Sequence, residues 1–145
     1  LGVPSVQLRT GIVLSNKGGA LKRLLPLWKL GFGTKLGGGD QWWPWIHIDD
    51  FVSVTKFAIE NELTGTLNVS APDPIRQNEF AHHLAKVLNR PVLFWVPKFF
   101  LRMILGELAL EMIGSKRVVP KRLLNAGFIF KFPEFIDALN DLIGG

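Results

Sequence analysis

The segment VPSVQLRTGIVL, residues 3–14, is rich in valine, leucine and isoleucine and predicts a buried β-strand. A polar, glycine-containing loop follows at residues 15–19. Leucines then recur at helical spacing and predict a helix over residues 20–30, which Pro26 is expected to kink or shorten. This order, a strand followed by a helix, is repeated along the rest of the chain.

Further strands and helices alternate, which predicts the α/β class with at least some parallel strand pairing. Asp49 and Asp50 open a helix with acidic residues at its positive end, and we expect Asp50 to cap it. Pro97 opens another helix in the position that proline prefers. The predicted strands are residues 45–48, 65–70, 91–96 and, weakly, 128–132; the predicted helices are residues 49–61, 77–88, 97–105, 106–112, 120–125 and 134–143.

The composition narrows the class of protein. With 145 residues, the chain is long enough for one domain with its own core. Its 48% hydrophobic and 20% charged residues exclude intrinsic disorder, and no apolar run reaches the roughly 18 residues that a membrane span needs. The lack of cysteine excludes disulfides, thiolate nucleophiles and cysteine-based zinc sites, and the lack of tyrosine removes one common proton donor.

The chain has a basic net charge of +5, from 17 lysines and arginines against 12 acidic residues. Such an excess suits nucleic acid, an anionic surface or a phosphorylated ligand. The densest cluster is formed by Lys116, Arg117, Lys121 and Arg122. We interpret it as a solvated helix face and expect no nucleic-acid partner, because no nucleic-acid-binding motif accompanies it. A free-standing basic module would instead bind DNA in a salt-sensitive manner.

The glycine-rich segment at residues 31–39 is not a phosphate loop. Gly31-Phe32-Gly33 is followed by leucine at position 36, where a dinucleotide fingerprint needs glycine. The three glycines at residues 37–39 lack the Lys-Ser or Lys-Thr pair of a Walker loop. Two interpretations stay open: a mobile, hairpin-like loop, or a loop that closes over a ligand.

His47, Asp49 and Asp50 are residue types that bind metals or transfer protons. In a strand, residues 47 and 49 point the same way, but two ligands do not make a metal site. The other histidines, His82 and His83, lie on a separate predicted helix, so we predict no metal site and expect His47 to be a half-buried strand residue. No serine lies in a nucleophile elbow, and no catalytic residue is predicted.

Three tryptophans surround Pro44. Trp42, Trp43 and Trp45 predict an aromatic part of the core, with a stacking wall for a base or ring as the alternative.

The order of three motifs resembles the C-terminal half of an extended short-chain dehydrogenase/reductase. They are LRTGIVLS at residues 8–15, GDQWWPWIHIDD at residues 39–50 and LNV at residues 67–69. Within that superfamily, WIHIDD and the phrase VPKRLLNAGF at residues 119–128 are typical of the predicted sugar-nucleotide epimerase group with a small C-terminal domain. The resemblance covers essentially the whole chain.

The resemblance implies the last strands of a Rossmann-like parallel sheet plus a substrate-side lobe over residues 1–90, and a small, mostly helical C-terminal domain over residues 91–145. The family's glycine-rich dinucleotide loop and Tyr-x-x-x-Lys pair belong to the N-terminal half. The chain therefore resembles a fragment of a cytoplasmic NAD(P)-dependent epimerase or oxidoreductase that acts on a nucleotide sugar. Alone, it is expected to be inactive, to hold no NAD(P) and to self-associate through its open sheet edge.

The resemblance also carries roles to particular positions. The implied cofactor-binding residues are Thr10, Gly11, Ile12 and Val13, which match a Pro-Gly-x-Val turn whose backbone meets the nicotinamide, with Thr10 in place of proline. The implied substrate-binding residues are Arg9, Gln41, Trp43, His47 and Arg76. Trp43 stands where many such enzymes carry a diphosphate-binding arginine, so Arg9 or Arg76 would supply that charge. The alternative function is a non-catalytic dinucleotide-sensing or protein-interaction module.

Overall fold

The computed structural model describes residues 5–30, 40–89 and 118–143, together with Phe99 and Met103. Strands and helices alternate through these parts of the chain, which confirms the α/β class. In chain order they are β1 (Val6–Thr10), β2 (Ile12–Leu14), α1 (Gly19–Lys29), β3 (Trp42–Trp43), β4 (Trp45–His47), α2 (Ile48–Glu60), β5 (Gly65–Val69), β6 (Ile75–Arg76), α3 (Gln77–Leu88), α4 (Lys121–Asn125) and α5 (Phe135–Ile143).

Two parallel strand pairs organise the fold. Strand β1 pairs with β5, residues 6–10 lying opposite residues 65–69, and β2 pairs with β4, residues 12–14 lying opposite residues 45–47. Helix α1 lies between β2 and β4 along the chain, as expected because parallel strands need a long connection rather than a tight turn. The predicted parallel pairing is confirmed.

The single strand predicted over residues 3–14 is wrong, because the described part of it is two strands interrupted at Gly11. The N–H of Gly11 donates to the carbonyl of Val69 at 2.9 Å, and the N–H of Ile12 donates to the carbonyl of Pro44 at 2.8 Å. The chain thus changes its hydrogen-bonding partner within one residue. A Cβ atom at position 11 would lie 2.9 Å from both the carbonyl carbon and oxygen of Pro44, so the junction favours glycine.

A third strand pair, β3 with β6, is antiparallel. Trp42 lies opposite Arg76, and Trp43 lies opposite Ile75. The guanidinium carbon of Arg76 lies 4.8 Å from the centre of the Trp42 ring, which is a cation–π distance.

Buried apolar side chains pack into two cores, and both draw on the segment after residue 117. Helix α5 contributes to the first core, whereas α4 contributes to the second. Trp43 and Trp45 belong to the first core, as the aromatic-core interpretation predicts. The buried members of the first core are Leu14, Leu21, Trp28, Trp43, Trp45, Ala71, Ile75, Phe80, Ala81, Leu84, Ala85, Phe135, Ala138, Leu139 and Leu142. Those of the second core are Ile46, Val54, Ala58, Leu67, Val69, Leu123, Phe128 and Phe130.

The bounds of helices α2 to α5 confirm the predicted ones to within one residue. Helix α1 also agrees with its predicted bounds, residues 20–30, to within one residue; it continues through Pro26 to Lys29, so only the alternative of a shortened helix is wrong. Proline removes only its own N–H from the ladder, and the carbonyl of Pro26 still accepts from the N–H of Leu30 at 3.1 Å.

The weak strand predicted at residues 128–132 is wrong. This segment has no strand partner in the described parts of the chain, because its backbone N–H groups are used in other ways. The N–H of Phe128 donates to the carbonyl of Leu123 at 3.0 Å, and those of Lys131 and Phe132 donate to a side chain of α2.

Several predictions concern residues outside the described parts of the chain. They are the glycine-rich loop at residues 31–39, the strand at residues 91–96 and the helix at residues 106–112. Phe99 and Met103, within the helix predicted at residues 97–105, are helical. Among the described helices, none has both the length and the apolar character needed to cross a bilayer.

The junction at Gly11 generates the first testable prediction. Gly11→Ser should lower the free energy of unfolding by about 1–3 kcal/mol, because the new Cβ would press on the backbone of Pro44, which cannot move without losing the bond to Ile12. The matched control is Gly18→Ser, since no heavy atom lies within 4 Å of its Cβ position and serine is favoured as a helix N-cap. Urea denaturation followed by tryptophan fluorescence measures both. Equal losses for the two variants would contradict the account.

Candidate functional site

A pocket of about 660 Å³ lies at the carboxyl ends of β1 and β5. Because these strands are parallel and in register, Arg9 lies beside Asn68 and Thr10 lies beside Val69, so both strands end at the same edge. Ligands of α/β proteins characteristically bind outside the carboxyl ends of parallel strands. The residues that line the pocket are Arg9, Thr10, Gly11, Pro44, Asn68 and Val118.

The polar character of this region follows from side-chain alternation along the two strands. Leu8 packs against the second core and Leu67 belongs to it. The adjacent residues of each strand therefore point to the opposite face of the pair. The exposed side chains of that face are Gln7, Arg9, Thr66 and Asn68.

The described residues that line the pocket offer hydrogen-bond donors, and none of them is of a type that commonly transfers protons. Its polar side chains are the guanidinium of Arg9, the hydroxyl of Thr10 and the amide of Asn68, and no carboxylate or histidine is among the described residues that line it. The N–H groups of Gly11 and Ile12 already donate to protein carbonyls. This arrangement is suited to binding and orienting a ligand.

The structure brings three of the predicted site residues together at this pocket: Arg9, Thr10 and Gly11. The two remaining residues of the predicted turn face inward. Ile12 packs against the first core and Val13 packs against the second, so both hold the turn in place.

Three other predicted residues lie at the antiparallel pair of β3 and β6, which we call the β3–β6 ribbon, rather than in the lining of the pocket. The carbonyl of Gln41 accepts from the N–H of Gln77 at 2.9 Å, just outside the ribbon. Trp43 is only 1% exposed, with its ring 4.9 Å from that of Phe80. Arg76 covers the Trp42 ring, as described above. The ribbon therefore groups these residues apart from Arg9.

His47 is buried rather than half-buried, and both of its ring nitrogens are engaged. Its Nδ1 accepts from the backbone N–H of Asp49 at 3.0 Å, so His47 is the N-cap of α2. Because Nδ1 is an acceptor, the neutral ring carries its proton on Nε2, which lies 2.9 Å from a carboxylate oxygen of Asp141. Phe132 stacks on the ring at 4.0 Å. These contacts join the start of α2 to α5.

Ligand atoms of His47, Asp49 and Asp141 lie within 4.8 Å of one another, a spacing that a metal ion could bridge. The hydrogen bonds argue against such a site. A metal on Nε2 would require a proton on Nδ1, which would then face the N–H of Asp49 instead of accepting from it. The Lys131 ammonium also lies 3.7 Å from the Asp49 carboxylate and adds a positive charge beside the cluster. We interpret the cluster as a structural link between helices.

Asp50 is not the helix cap that the sequence predicts. It is the third residue of α2, it is 1% exposed, and its two carboxylate oxygens accept from the N–H groups of Lys131 at 2.8 Å and Phe132 at 2.9 Å. Together with His47 and Asp141, Asp50 forms what we call the C-terminal clamp, which fastens residues 131–141 to the start of α2.

Sequence reasoning missed Asn68, Pro44 and Val118 as pocket residues and Asp141 as the partner of His47. Asn68 stands in the quoted LNV motif, and its alternation with two buried neighbours is a signal that could have placed it on the polar face. No local signal points to Asp141, which lies 94 residues from His47.

Comparisons with known proteins agree with this architecture. Residues 96–142 match the family described as Domain of unknown function (DUF1731). An epimerase family protein of Staphylococcus aureus strain MRSA252 is 41% identical over 144 residues, which are 99% of this chain and 48% of that protein. The solved structure of the human epimerase family protein SDR39U1 with NADPH matches with a TM-score of 0.89 at 32% identity. That match covers 98% of this chain and 49% of the human one.

Over nearly its whole length the chain is similar to proteins named as epimerase family proteins. A nucleoside-diphosphate sugar epimerase from Corynebacterium glutamicum is a further structural relative, with a TM-score of 0.67 at 30% identity; the match covers 96% of this chain and 26% of that one. The chain spans about half the length of the curated relatives it matches. The family and fold class that the sequence motifs imply are thereby confirmed: the chain is similar to the C-terminal part of Rossmann-fold epimerases.

The C-terminal clamp generates the second prediction. Asp50→Ala should lower the free energy of unfolding by about 2–6 kcal/mol, because it leaves two backbone N–H groups without their acceptor at roughly 1–3 kcal/mol each. Asp49→Ala is the matched control: its carboxylate is 55% exposed, and the loss of its surface ion pair should change stability by less than about 1 kcal/mol. Urea denaturation compares the two, and an Asp50→Ala protein as stable as the Asp49→Ala protein would refute the clamp.

Proposed function

We propose that this chain is the C-terminal half of an NAD(P)-dependent epimerase or oxidoreductase that acts on a nucleotide sugar or a similar ring alcohol. The observation that carries the proposal is the pocket at the carboxyl ends of β1 and β5, lined by Thr10 and Gly11. It is supported by the similarity to a human epimerase family protein whose structure was solved with NADPH.

In this proposal a nicotinamide cofactor, when bound, would supply hydride-transfer chemistry, and most of its contacts would come from the part of the relatives that this chain does not span. The chain itself supplies one wall of the pocket. Thr10 and Gly11 face the nicotinamide end, and Ile12 and Val13 fix the turn by packing into the two cores. The proton-transfer group belongs to the absent half, since none of the described lining residues is an acid or base.

Most of the predicted substrate-binding residues lie in or next to the β3–β6 ribbon. We propose that Gln41 and Arg76 meet the substrate there, while Trp43 and His47 act from inside the protein because both are only 1% exposed. The proposed site has two cations, Arg76 at the ribbon and Arg9, and Arg9 is the one that lines the pocket.

A non-catalytic dinucleotide-sensing or interaction module is the second candidate. The lack of an acid or base among the described lining residues favours it, since binding alone needs none. Hydride transfer distinguishes the two candidates. A protein containing both halves would catalyse it if the first candidate is right and would not if the second is right.

Self-association of the isolated chain and a cytoplasmic location stay predictions. Among the described residues β1 is paired on one side only, with β5, and an unpaired strand edge favours association with another strand. On β5, the Arg122 guanidinium donates to the carbonyl of Thr66 at 2.8 Å. We therefore propose β1 as the edge through which the chain alone would associate.

The third prediction concerns binding of the cofactor. The isolated chain should show no micromolar affinity for NADH or NADPH in calorimetry. A few hydrogen bonds, at about 1 kcal/mol net each, do not offset the several kcal/mol lost when a large flexible cofactor is immobilised.

A chimera tests the proposed function positively. When residues 1–145 replace the matching half of the human relative, the chimera should bind NADPH and quench or enhance its fluorescence. Thr10→Trp, which fills the pocket, should weaken that binding, whereas Thr55→Trp, on the outer side of α2, should not. A folded chimera that binds no NADPH, or one that is indifferent to Thr10→Trp, would overturn the proposal. Micromolar binding by the isolated chain would contradict the third prediction only.

A further inference from the structure

We propose that the outer face of α2 is an interaction surface for a second copy of this chain. A groove of about 510 Å³ runs along this face, and all described residues that line it belong to α2. None of them lines the pocket at the carboxyl ends of β1 and β5, so the inference goes beyond the proposed function. The described lining residues are Phe51, Val52, Thr55, Lys56, Ile59 and Glu60.

The first argument is the exposed apolar surface of this helix. Val54 and Ala58 are buried and attach α2 to the second core. Val52 and Ile59 lie seven positions apart, which is two helical turns, so they share a face. They are 59% and 70% exposed, and the packing of the chain itself does not use them. Large apolar side chains grouped in a groove, unlike isolated ones, mark an interaction surface.

The second argument is charge. The Lys56 ammonium lies 3.9 Å from the Glu60 carboxylate, and no other charged side chain is among the described residues that line the groove. The face is therefore neutral, whereas the whole chain carries a net charge of +5. Two copies of a basic chain repel each other, and a neutral face lets them approach with the least repulsion. A nucleic acid would instead favour unpaired cations.

The third argument is that the face is complementary to itself. In a two-fold dimer, each contact occurs twice with the two residues exchanged. If two α2 helices pack antiparallel with the axis between Thr55 and Lys56, Val52 of each copy meets Ile59 of the other. Thr55 of each copy then meets the aliphatic stem of the other copy's Lys56. The two Lys56–Glu60 pairs lie on opposite rims of the contact, so like charges do not face each other. A second copy is thus an occupant that fits the groove.

The size of the face sets the expected affinity. Helix α2 has 13 residues and is therefore about 20 Å long. One face of such a helix buries less than the roughly 800 Å² per partner that is usual in stable complexes. We therefore expect weak association, with a dissociation constant of about 0.1–1 mM.

Cysteine cross-linking tests the arrangement directly, because the chain contains no cysteine of its own. Thr55→Cys places a thiol beside the proposed two-fold axis, where the two Cα atoms come within the roughly 7 Å that a disulfide allows. Under mild oxidation it should form a covalent dimer at least about tenfold faster than Ser53→Cys. Ser53 is the matched control, since it is an exposed residue of the same helix outside the groove. Labelling with a monofunctional maleimide corrects for thiol reactivity, and equal corrected rates would overturn the proposal.

Sedimentation equilibrium measures the same contact without a cross-link. Ile59→Asp should raise the dissociation constant at least about tenfold, because it places a charge opposite Val52 of the second copy. Leu30→Asp is the matched control, since Leu30 is also 70% exposed, and it should change the constant less than about twofold. Association that Ile59→Asp leaves unchanged would belong to another surface, such as the edge of β1, and would overturn the proposal. A chain that stays monomeric at millimolar concentration would overturn it as well.

The alternative occupant of the groove is the part of the relatives that this chain does not span. The chimera with the human relative decides between the two occupants when it carries Thr55→Cys. We expect the chimera to cross-link as the chain does. A chimera that binds NADPH without cross-linking would assign the face to the other half and overturn this proposal. A folded chimera that cross-links but binds no NADPH would support the α2 contact and refute only the proposed function.

Discussion

The rest of the described structure depends on the junction at Gly11, where two consecutive N–H groups donate to two different parts of the chain. The bond from Gly11 to Val69 ends the pairing of β1 with β5, and the bond from Ile12 to Pro44 begins the approach to β4. Because both strand pairs are parallel, this change of partner places the end of one pair beside the start of the other. The pocket lies where they meet, and its floor is the junction itself.

The C-terminal clamp is the second constraint, and it explains how residues after 117 join the fold. The carboxylate of Asp50 accepts from two backbone N–H groups of the segment before α5, and the ring of His47 contacts α5 through the carboxylate of Asp141. Of the three clamp residues, His47 is the last residue of β4 and the N-cap of α2, and Asp50 lies in the first turn of α2. The residues around the end of β4 therefore fix the C-terminal segment.

Local signals in the sequence predicted the local structure. Gly127 ends α4 with a φ of 89°, and the leucine and phenylalanine stripe of α3 predicts its bounds to within one residue. Thr10, Gly11 and Arg9 were predicted at the ligand site through the family resemblance. What the sequence could not reveal depends on distant partners. Aspartate is a residue type typical of helix caps, but the carboxylate oxygens of Asp50 accept hydrogen bonds from residues about 80 positions away. The strand break at Gly11 likewise depends on the distant carbonyls of Pro44 and Val69, which accept from consecutive N–H groups there.

Native-state hydrogen exchange at Gly11 and Ile12 is the most direct measurement of the central claim, that this junction is a rigid hydrogen-bonded element on which fold and pocket depend. The account predicts that both amides exchange as slowly as those of buried Leu67 in β5, through global unfolding only. Exchange as fast as in the exposed loop at residues 16–17 would contradict it, because the junction would then open without the rest of the fold.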